Sequence, residues 1–323
     1  KENKEYEGFK ILVFHPVALG DILVSSLCGE LFQTQYPGCT VDYLIESEPV
    51  IPLLKSNPYI NKIMVTYEWN DFCNRDTLEY GPITKEYDLI YGLYWWDAKP
   101  NMITSFLDDL GLPTDYTRLR VYTTREDASE AAKVWDGCKE FRICLQKDLV
   151  SYHKWDGSYE DLKSGLEDFG KVVEVGVKST PYNVDAEIIR QADITVCSHG
   201  SVEHASAAVG TTSVSIPLIY APESVAVAYY QNKYLPKWRH HVSVKPENWC
   251  GDYHCVSNNP DSCPHKLLNY FPKRFPPYVH QKCDYGNIKT SCVREIPIEL
   301  FMSKIEEKIK EIKDNGLPKN FVA

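Results

Sequence analysis

The amino-acid sequence predicts an α/β protein made of two doubly wound, Rossmann-like domains that face a cleft. The chain has 323 residues, more than the ~250–300 at which a single hydrophobic core usually stops growing. Short apolar runs alternate with helical patterns through the first 245 residues, which is typical of parallel sheets flanked by helices. A charged, helix-like stretch at 125–137 divides this alternation into two series. Two such series predict two domains.

The strands and helices follow from apolar runs and from periodicity. We predict strands at 9–14, 40–46, 62–67, 87–93, 119–122, 141–146, 171–176, 193–198, 212–217 and 240–245. We predict helices at 21–35, 158–169, 185–191, 201–209, 223–231 and 297–315. The domains are then expected at 1–124 and 125–245, followed by a cysteine-rich loop segment and a terminal helix at 246–323.

Charge and composition restrict the partners of the chain. The formal net charge is −10, which disfavours nucleic acid and anionic lipid because both attract a positive surface. No apolar run reaches the ~18 residues that suggest a membrane span, and the first 14 residues are too charged for a signal peptide. We therefore expect a cytoplasmic protein with at most peripheral membrane contact.

The loop "HPVALGD" (15–21) follows the first predicted strand, and doubly wound sheets bind ligands at the carboxyl ends of their strands. Its single glycine makes neither a dinucleotide fingerprint nor a P-loop. In one interpretation Gly20 allows a tight turn and Asp21 caps the following helix. In the other, Asp21 faces the cleft and takes a proton from a substrate hydroxyl, with His15 and Gly20 on the same loop.

A second loop, "SHGSVEHASAAVG" (198–210), also follows a predicted strand. Gly200 and Ser201 open a helix whose first N–H groups and dipole suit phosphate oxygens. The alternative is a tight turn followed by small residues that pack closely on the sheet. His199, Glu203 and His204 are harder to explain by packing alone, so we favour a ligand site.

A third loop, "QKDLVSYHKWDGSYEDL" (146–162), contains Lys154 beside Trp155. Lys154 could place a point charge against a diphosphate. The alternative is a solvated lysine that lies over the tryptophan ring.

The cysteines fall into two groups. Cys28, Cys39, Cys144 and Cys197 stand singly in apolar surroundings and are expected to be buried thiols. Cys250, Cys255, Cys263 and His265 are residue types of a zinc site, but their spacing is irregular. Zinc, disulfides and free thiols all stay open for this late segment.

The neighbouring basic and aromatic stretch at 264–282 suits stacking on sugars or nucleic-acid bases, or forms an exposed loop.

Taken together, these stretches resemble the family 9 glycosyltransferases, which include the lipopolysaccharide heptosyltransferases. The resemblance is carried by "ALGDILVSSLCGELFQTQYPGCTVDYLIE" (18–46), "LLKSNPYINKIM" (53–64), "ADITVCSHGSVEHASAAVGTTSVSIP" (192–217) and "SCVREIPIELFMSKIEEKI" (291–309). The order and spacing of these segments are specific, and they extend over most of the chain.

The resemblance implies the two-domain GT-B fold, with a C-terminal helix that crosses back to the N-terminal domain. It implies an acceptor-side N-terminal domain, a donor-binding C-terminal domain, and inverting, metal-independent transfer that needs no cofactor. The donor would be a nucleotide-diphosphate sugar and the acceptor a glycan or lipid-linked glycan. Asp21 would be the general base, while Lys154 and the helix at 201–209 would stabilise the diphosphate leaving group. The donor-binding residues would be Lys154, His153, Ser198, His199, Gly200, Ser201, Glu203 and His204.

The sequence departs from the family pattern in the two donor loops. Ser198 and His199 precede Gly200, where the family usually has an acidic residue and then Ser or Thr, and His204 comes fourth after the glycine where the family has its histidine third. Lys154 is directly before Trp155, so His153 competes for its position. The altered loop at 198–204 keeps open a catalytically inactive glycan- or partner-binding module. A second alternative is a GT-B-fold sugar-nucleotide epimerase, which works on the same class of donor. A third, a transferase acting on modified DNA, is suggested only by the basic and aromatic stretch at 264–282, and the acidic net charge counts against it.

Overall fold

The protein contains two parallel sheets flanked by helices, as the sequence predicts. The computed structural model describes residues 6–14, 19–45, 48–65, 73–74, 79–80, 85–92, 119–147, 149, 157–177, 180–198, 200–216, 242–244 and 296–315. The predicted helix at 223–231 and the whole late cysteine segment lie outside the described residues.

The first sheet has four parallel strands in the order β3-β2-β1-β6. They are β1 (Lys10–Phe14), β2 (Thr40–Ile45), β3 (Lys62–Val65) and β6 (Leu89–Gly92), and a separate antiparallel pair is formed by β4 (Cys73–Asn74) and β5 (Glu79–Tyr80). The central strand β1 is apolar and buried on both faces, as expected in a parallel sheet. Its alternate residues therefore serve two cores: Ile11 and Val13 on one face, Leu12 and Phe14 on the other.

The helix predicted at 21–35 is wrong as a single element. It consists of α1 (Leu19–Ser25) and α2 (Leu27–Gln35), which are separated at Ser26. The hydroxyl of Ser26 donates to the carbonyl of Leu23 at 2.7 Å, and the hydroxyl of Ser25 donates to the carbonyl of Ile22 at 3.0 Å. These hydroxyls compete with backbone N–H groups for the same carbonyls, which favours a break. A 3₁₀ turn (Glu48–Val50) and α3 (Ile51–Lys55) follow β2.

The strand predicted at 119–122 is also wrong, because residues 119–124 form neither helix nor strand. Leu119 and Val121 are buried as the alternating pattern indicates. However, the segment lies against helices: the hydroxyl of Tyr122 donates to Glu30 of α2 at 3.5 Å. No described strand pairs with this segment, so its burial gives the alternating pattern without strand pairing.

The second sheet has five parallel strands in the order β11-β10-β9-β7-β8. They are β7 (Phe141–Gln146), β8 (Gly170–Val175), β9 (Ile194–Ser198), β10 (Ser213–Ile216) and β11 (Val242–Ser243). The helices are α4 (Arg125–Val134), α5 (Tyr159–Glu167), α6 (Tyr182–Gln191), α7 (Ser201–Val209) and α8 (Ile298–Asn315). All five strands match the predicted positions to within two residues at each end.

One apolar cluster joins the helices of the two sheets. Leu23 and Leu27 of the first helical layer share this cluster with Ala186 of α6 and with Val202 and Ala205 of α7. Helix α1 packs against α7, and α3 packs against α6. The four cysteines predicted to be buried are buried.

The terminal helix α8 does not follow the path that the resemblance implies. A return to the first domain was expected, but Phe301, Ile305, Ile309 and Ile312 pack into the core of the second sheet. Their spacing of three or four residues forms one apolar stripe, which shares this core with Ile143 and Leu145 of β7. Within the described residues, no helix is both long and apolar enough to cross a membrane.

A carboxyl group is buried beside the second sheet. Asp185 of α6 is 3% exposed. Its Oδ2 accepts a hydrogen bond from the Gly176 N–H at 2.9 Å, while Oδ1 has no hydrogen-bond partner among the described residues. Burial disfavours the charged form and raises the pKa of Asp185 to about 7, although the Gly176 hydrogen bond opposes the shift.

Asp185 should make the stability of the protein depend on pH. Its folded-state pKa of about 7 lies above the roughly 3.9 of an unfolded aspartate. Its contribution to stability is therefore complete below about pH 4 and is lost as the pH rises through 7. In the wild type, the free energy of unfolding measured with urea should therefore decrease between pH 5 and pH 8. In Asp185→Asn this decrease should be smaller by about 2 kcal/mol. Identical pH dependence in both proteins would contradict the assignment.

Two glycines of the second domain should respond oppositely to alanine. A Cβ at Gly170 would lie 2.0 Å from the carbonyl oxygen of Phe141, its partner in β7. Because that atom is backbone, Gly170→Ala should lower the free energy of unfolding by at least about 2–3 kcal/mol. A Cβ at Gly165 in α5 would meet the flexible end of the Met302 side chain, with Cε at 3.0 Å and Sδ at 3.6 Å.

Gly165→Ala should therefore be neutral or stabilising by up to about 1 kcal/mol, since alanine favours helix. Chemical denaturation of both variants tests the pair. Equal stabilities would show that the close approach of β8 to β7 at Gly170 is wrong.

Candidate functional site

The two loops that the sequence predicts as acceptor-side and donor-binding meet at one point. A Cβ placed on Gly20 would lie 3.0 Å from the backbone nitrogen of Ser201 and 3.0 Å from Cδ2 of His204. Gly20 lies in the first turn of α1, the helix that follows β1, and Ser201 is the first residue of α7, which follows β9. The first turns of the two helices are therefore in direct backbone contact.

The start of α7 depends on a glycine. Gly200 is the N-cap, with φ 138° and ψ −150°, a backbone conformation that side chains disfavour. Its carbonyl accepts the first helical hydrogen bond, from the His204 N–H at 2.9 Å. As a glycine, Gly200 provides no side-chain cap. The first N–H groups of a helix have no partner within it, and with the helix dipole they form a site for phosphate oxygens.

Two buried side chains bond to residues at the start of α7 and at the end of the strand before it. Neither of them was predicted from the sequence. Oε1 of Gln146, the last residue of β7, accepts hydrogen bonds from the N–H and the hydroxyl of Ser198 at 2.9 and 3.2 Å. The hydroxyl of Tyr182 in α6 donates to the carbonyl of Ser201. Gln146 had one available signal, since a polar residue ends an apolar strand at the carboxyl edge of the sheet. Tyr182 had none, because its partner is 19 residues away.

The two ionisable residues of α7 lie within the fold. His204 is 3% exposed and lies beside Gly20, while Glu203 is fully buried. The small residues that follow are also buried, and the hydroxyl of Ser206 donates to the carbonyl of Val202 at 2.9 Å. The structure therefore combines the two interpretations of this stretch: its small residues pack closely, and His204 lies at the contact of the two loops.

Asp21 belongs to the first turn of α1. The helix begins at Leu19, so Asp21 is its third residue, and the interpretation that Asp21 caps a helix starting after it is wrong. Ile22, Leu23 and Val24 are buried and anchor the helix. Since Asp21 is adjacent to Gly20, its backbone lies one residue from the contact with α7.

Several predicted site residues lie outside the described residues and stay predictions. They are His15, His153, Lys154, His199, Cys250, Cys255, Cys263 and His265. Within the described part of the chain, no group of three or more His, Cys, Asp or Glu side chains could hold a metal ion.

Comparison with known proteins identifies relatives in structure only. No protein-family model matches the chain, and a search of curated proteins found no significant match. The structure is similar to the ADP-heptose lipopolysaccharide heptosyltransferase II of E. coli, with a TM-score of 0.63 and 13% identity over 94% of this chain and 100% of that one. It is also similar to a family 9 glycosyl transferase from Veillonella parvula, with a TM-score of 0.57 and 12% identity over 94% and 98% of the chains.

A third similar structure is the iron-containing dodecameric glycosyltransferase TibC from enterotoxigenic E. coli. Its TM-score is 0.58, and the two proteins are 14% identical over 95% of this chain and 77% of TibC. At identities this low, the structural similarity establishes a shared fold and nothing about function. The resemblance of the sequence to family 9 is thus confirmed for the fold: the chain has the GT-B architecture of these heptosyltransferase structures.

Proposed function

We propose that this protein is an inverting glycosyltransferase that moves a sugar from a nucleotide-diphosphate donor to a hydroxyl of a glycan or glycolipid-like acceptor. The contact of Gly20 with Ser201 and His204 carries the proposal. It brings the helix that contains Asp21 against the first turn of a helix suited to phosphate. A carboxylate and an anion site on facing loops are the two elements that such a transfer requires.

In this proposal the carboxylate of Asp21 takes the proton of the acceptor hydroxyl. The acceptor oxygen forms a bond to the anomeric carbon while the bond from that carbon to the diphosphate oxygen breaks. The diphosphate leaves with the electron pair, and attack from the opposite face inverts the anomeric centre. Charge develops on the leaving oxygen, where the N-terminus of α7 and Lys154 would stabilise it. These positive groups would take the role that a metal ion has in other transferases.

The donor would be held by the loop at 198–201. Ser198 is held by Gln146 and the Ser201 carbonyl by Tyr182, so the two ends of this loop are preorganised. Preorganised donors avoid a reorganisation cost during the reaction. TibC has been solved with ADP-D-β-D-heptose, and that complex makes ADP-linked sugars the first donors to test.

Nucleotide release tests the reaction and the proposed base together. The protein should release nucleotide from one member of a panel of ADP-, UDP- and GDP-sugars only when a glycan acceptor is present. Asp21→Asn should lower kcat by about 10²–10⁴-fold, because it removes the base. Calorimetry should show that donor affinity changes by less than about threefold.

Wild-type turnover in Asp21→Asn would overturn the role of Asp21. An epimerised donor without acceptor would identify an epimerase. Absence of binding to every nucleotide sugar would favour an inactive binding module.

A methyl group at Gly20 should separate the two loops. Gly20→Ala places Cβ against the backbone of Ser201, so α1 must move away from α7. A displacement of about 1 Å at a reacting group can lower the rate by about 10²-fold, and we expect kcat to fall by at least about tenfold. Gly165→Ala is the control. Its Cβ also meets a neighbouring atom at 3.0 Å, but Gly165 lies in neither of the loops 15–21 and 198–210. Equal kcat in the two variants would contradict the contact.

A further inference from the structure

We propose that Asn57 positions Asp21 by holding the far end of α1, the short helix that carries it. This inference rests on the proposed function, because it assigns Asn57 a role through the base of that reaction. Asn57 belongs to the segment 57–60, which follows α3, and the side chain acts on the junction between α1 and α2.

Both ends of the Asn57 side chain are engaged. It is 3% exposed. Its Nδ2 donates to the carbonyl of Ser26 at 3.3 Å, and its Oδ1 accepts from the N–H of Tyr59 at 3.0 Å. The backbone is held as well, since the Asn57 N–H donates to the carbonyl of Leu54 at 3.0 Å and the Ile60 N–H donates to the carbonyl of Asn57 at 3.2 Å. Because the Asn57 side chain is fixed in this way, it can hold the Ser26 carbonyl in a defined position.

Ser26 is the place where α1 ends. Its N–H still completes the last turn of α1 by donating to the carbonyl of Ile22 at 2.9 Å, and its own carbonyl accepts a short-range backbone bond from the Gly29 N–H at 3.3 Å. The amide of Asn57 therefore bonds the carbonyl at which helical continuity is lost. Asp21 lies five residues earlier, about 7–8 Å along the helix axis.

Packing at the same junction supports this hydrogen bond. A Cβ on Gly29 would lie 3.1 Å from Cβ of Tyr59 and 3.2 Å from its carbonyl oxygen. Segment 57–60 is thus in close backbone contact with the first turn of α2. The glycine brings the two segments near enough for the long-range bond between Asn57 and Ser26, which joins residues 31 positions apart.

The helix α1 needs support at both ends. It has seven residues, fewer than the roughly 12–15 at which an isolated helix becomes even marginally stable. The buried Ile22, Leu23 and Val24 hold α1 on the core. Its direction also depends on what its ends contact: α7 through Gly20 at the start, and Asn57 at the end. Without the second support the first turn can tilt, and Asp21 would move relative to the donor site. This predicts a loss in kcat while donor binding, which depends on α7, is retained.

The experiment uses the full chain and three variants. Asn57→Ala removes both bonds. Asn57→Ser is milder, since its hydroxyl can accept from the N–H of Tyr59 but is too short to reach Ser26. Asn61→Ala is the matched control, because its Nδ2 makes a 2.8 Å bond to Asp42 on β2 and leaves the junction unchanged.

We expect kcat to fall by about 10- to 100-fold in Asn57→Ala and Asn57→Ser, with donor affinity by calorimetry within about threefold of wild type. Asn61→Ala should keep kcat within about twofold of wild type. Its melting temperature should nevertheless fall by a few degrees, as should that of the Asn57 variants. A rate loss in Asn61→Ala as large as that in the Asn57 variants would overturn the inference, since the effect would then be general destabilisation.

The outcomes separate the inference from the function on which it rests. Wild-type kcat in both Asn57 variants, together with an inactive Asp21→Asn, overturns the role of Asn57 and leaves the proposed function intact. Full activity of Asp21→Asn overturns the base assignment, and the positioning role falls with it.

Discussion

The contact between Gly20 and the first residue of α7 is the interaction on which the rest of the site depends. It joins two helices that follow the central strands of two different sheets. Only a residue without Cβ lets the backbones approach this closely. The apolar cluster shared by α1, α6 and α7 keeps the helices in place beneath the contact. Because protein interiors are close-packed, a displacement at this point would have to be transmitted through the core of both sheets.

Buried polar side chains determine how the two loops are oriented on this core. Gln146, Tyr182 and Asn57 each bond backbone groups of a segment distant in sequence. A buried polar group is costly unless it is hydrogen-bonded. Each of these side chains therefore favours the arrangement of the chain in which its hydrogen bonds are made. Asp185 shows the opposite case: one of its oxygens lacks a hydrogen-bond partner within the described residues, and burial raises its pKa.

The similarity to solved transferases at 12–14% identity has a physical basis. A core of parallel strands and amphipathic helices accepts many apolar substitutions if volume and pattern are kept. The fold is therefore retained while the loops at the carboxyl ends of the strands change. Chemistry on such a fold depends on those loops. The Ser-His-Gly-Ser sequence at 198–201 differs from the family pattern within the loop that we propose holds the donor, so donor choice is where this chain should differ most.

The sequence by itself determined the two parallel sheets, the order of nearly all their elements and the loops that carry the candidate site, because apolar runs, helical periodicity and glycines are local signals. Only the tertiary structure decided that α1 ends at Ser26, that residues 119–124 lie against helices, and that α8 covers the second sheet. It also decided that Gly20 meets Ser201 and that Asn57 reaches Ser26. These features depend on partners far apart in the chain, and no local pattern specifies which distant group becomes the neighbour once the core is packed.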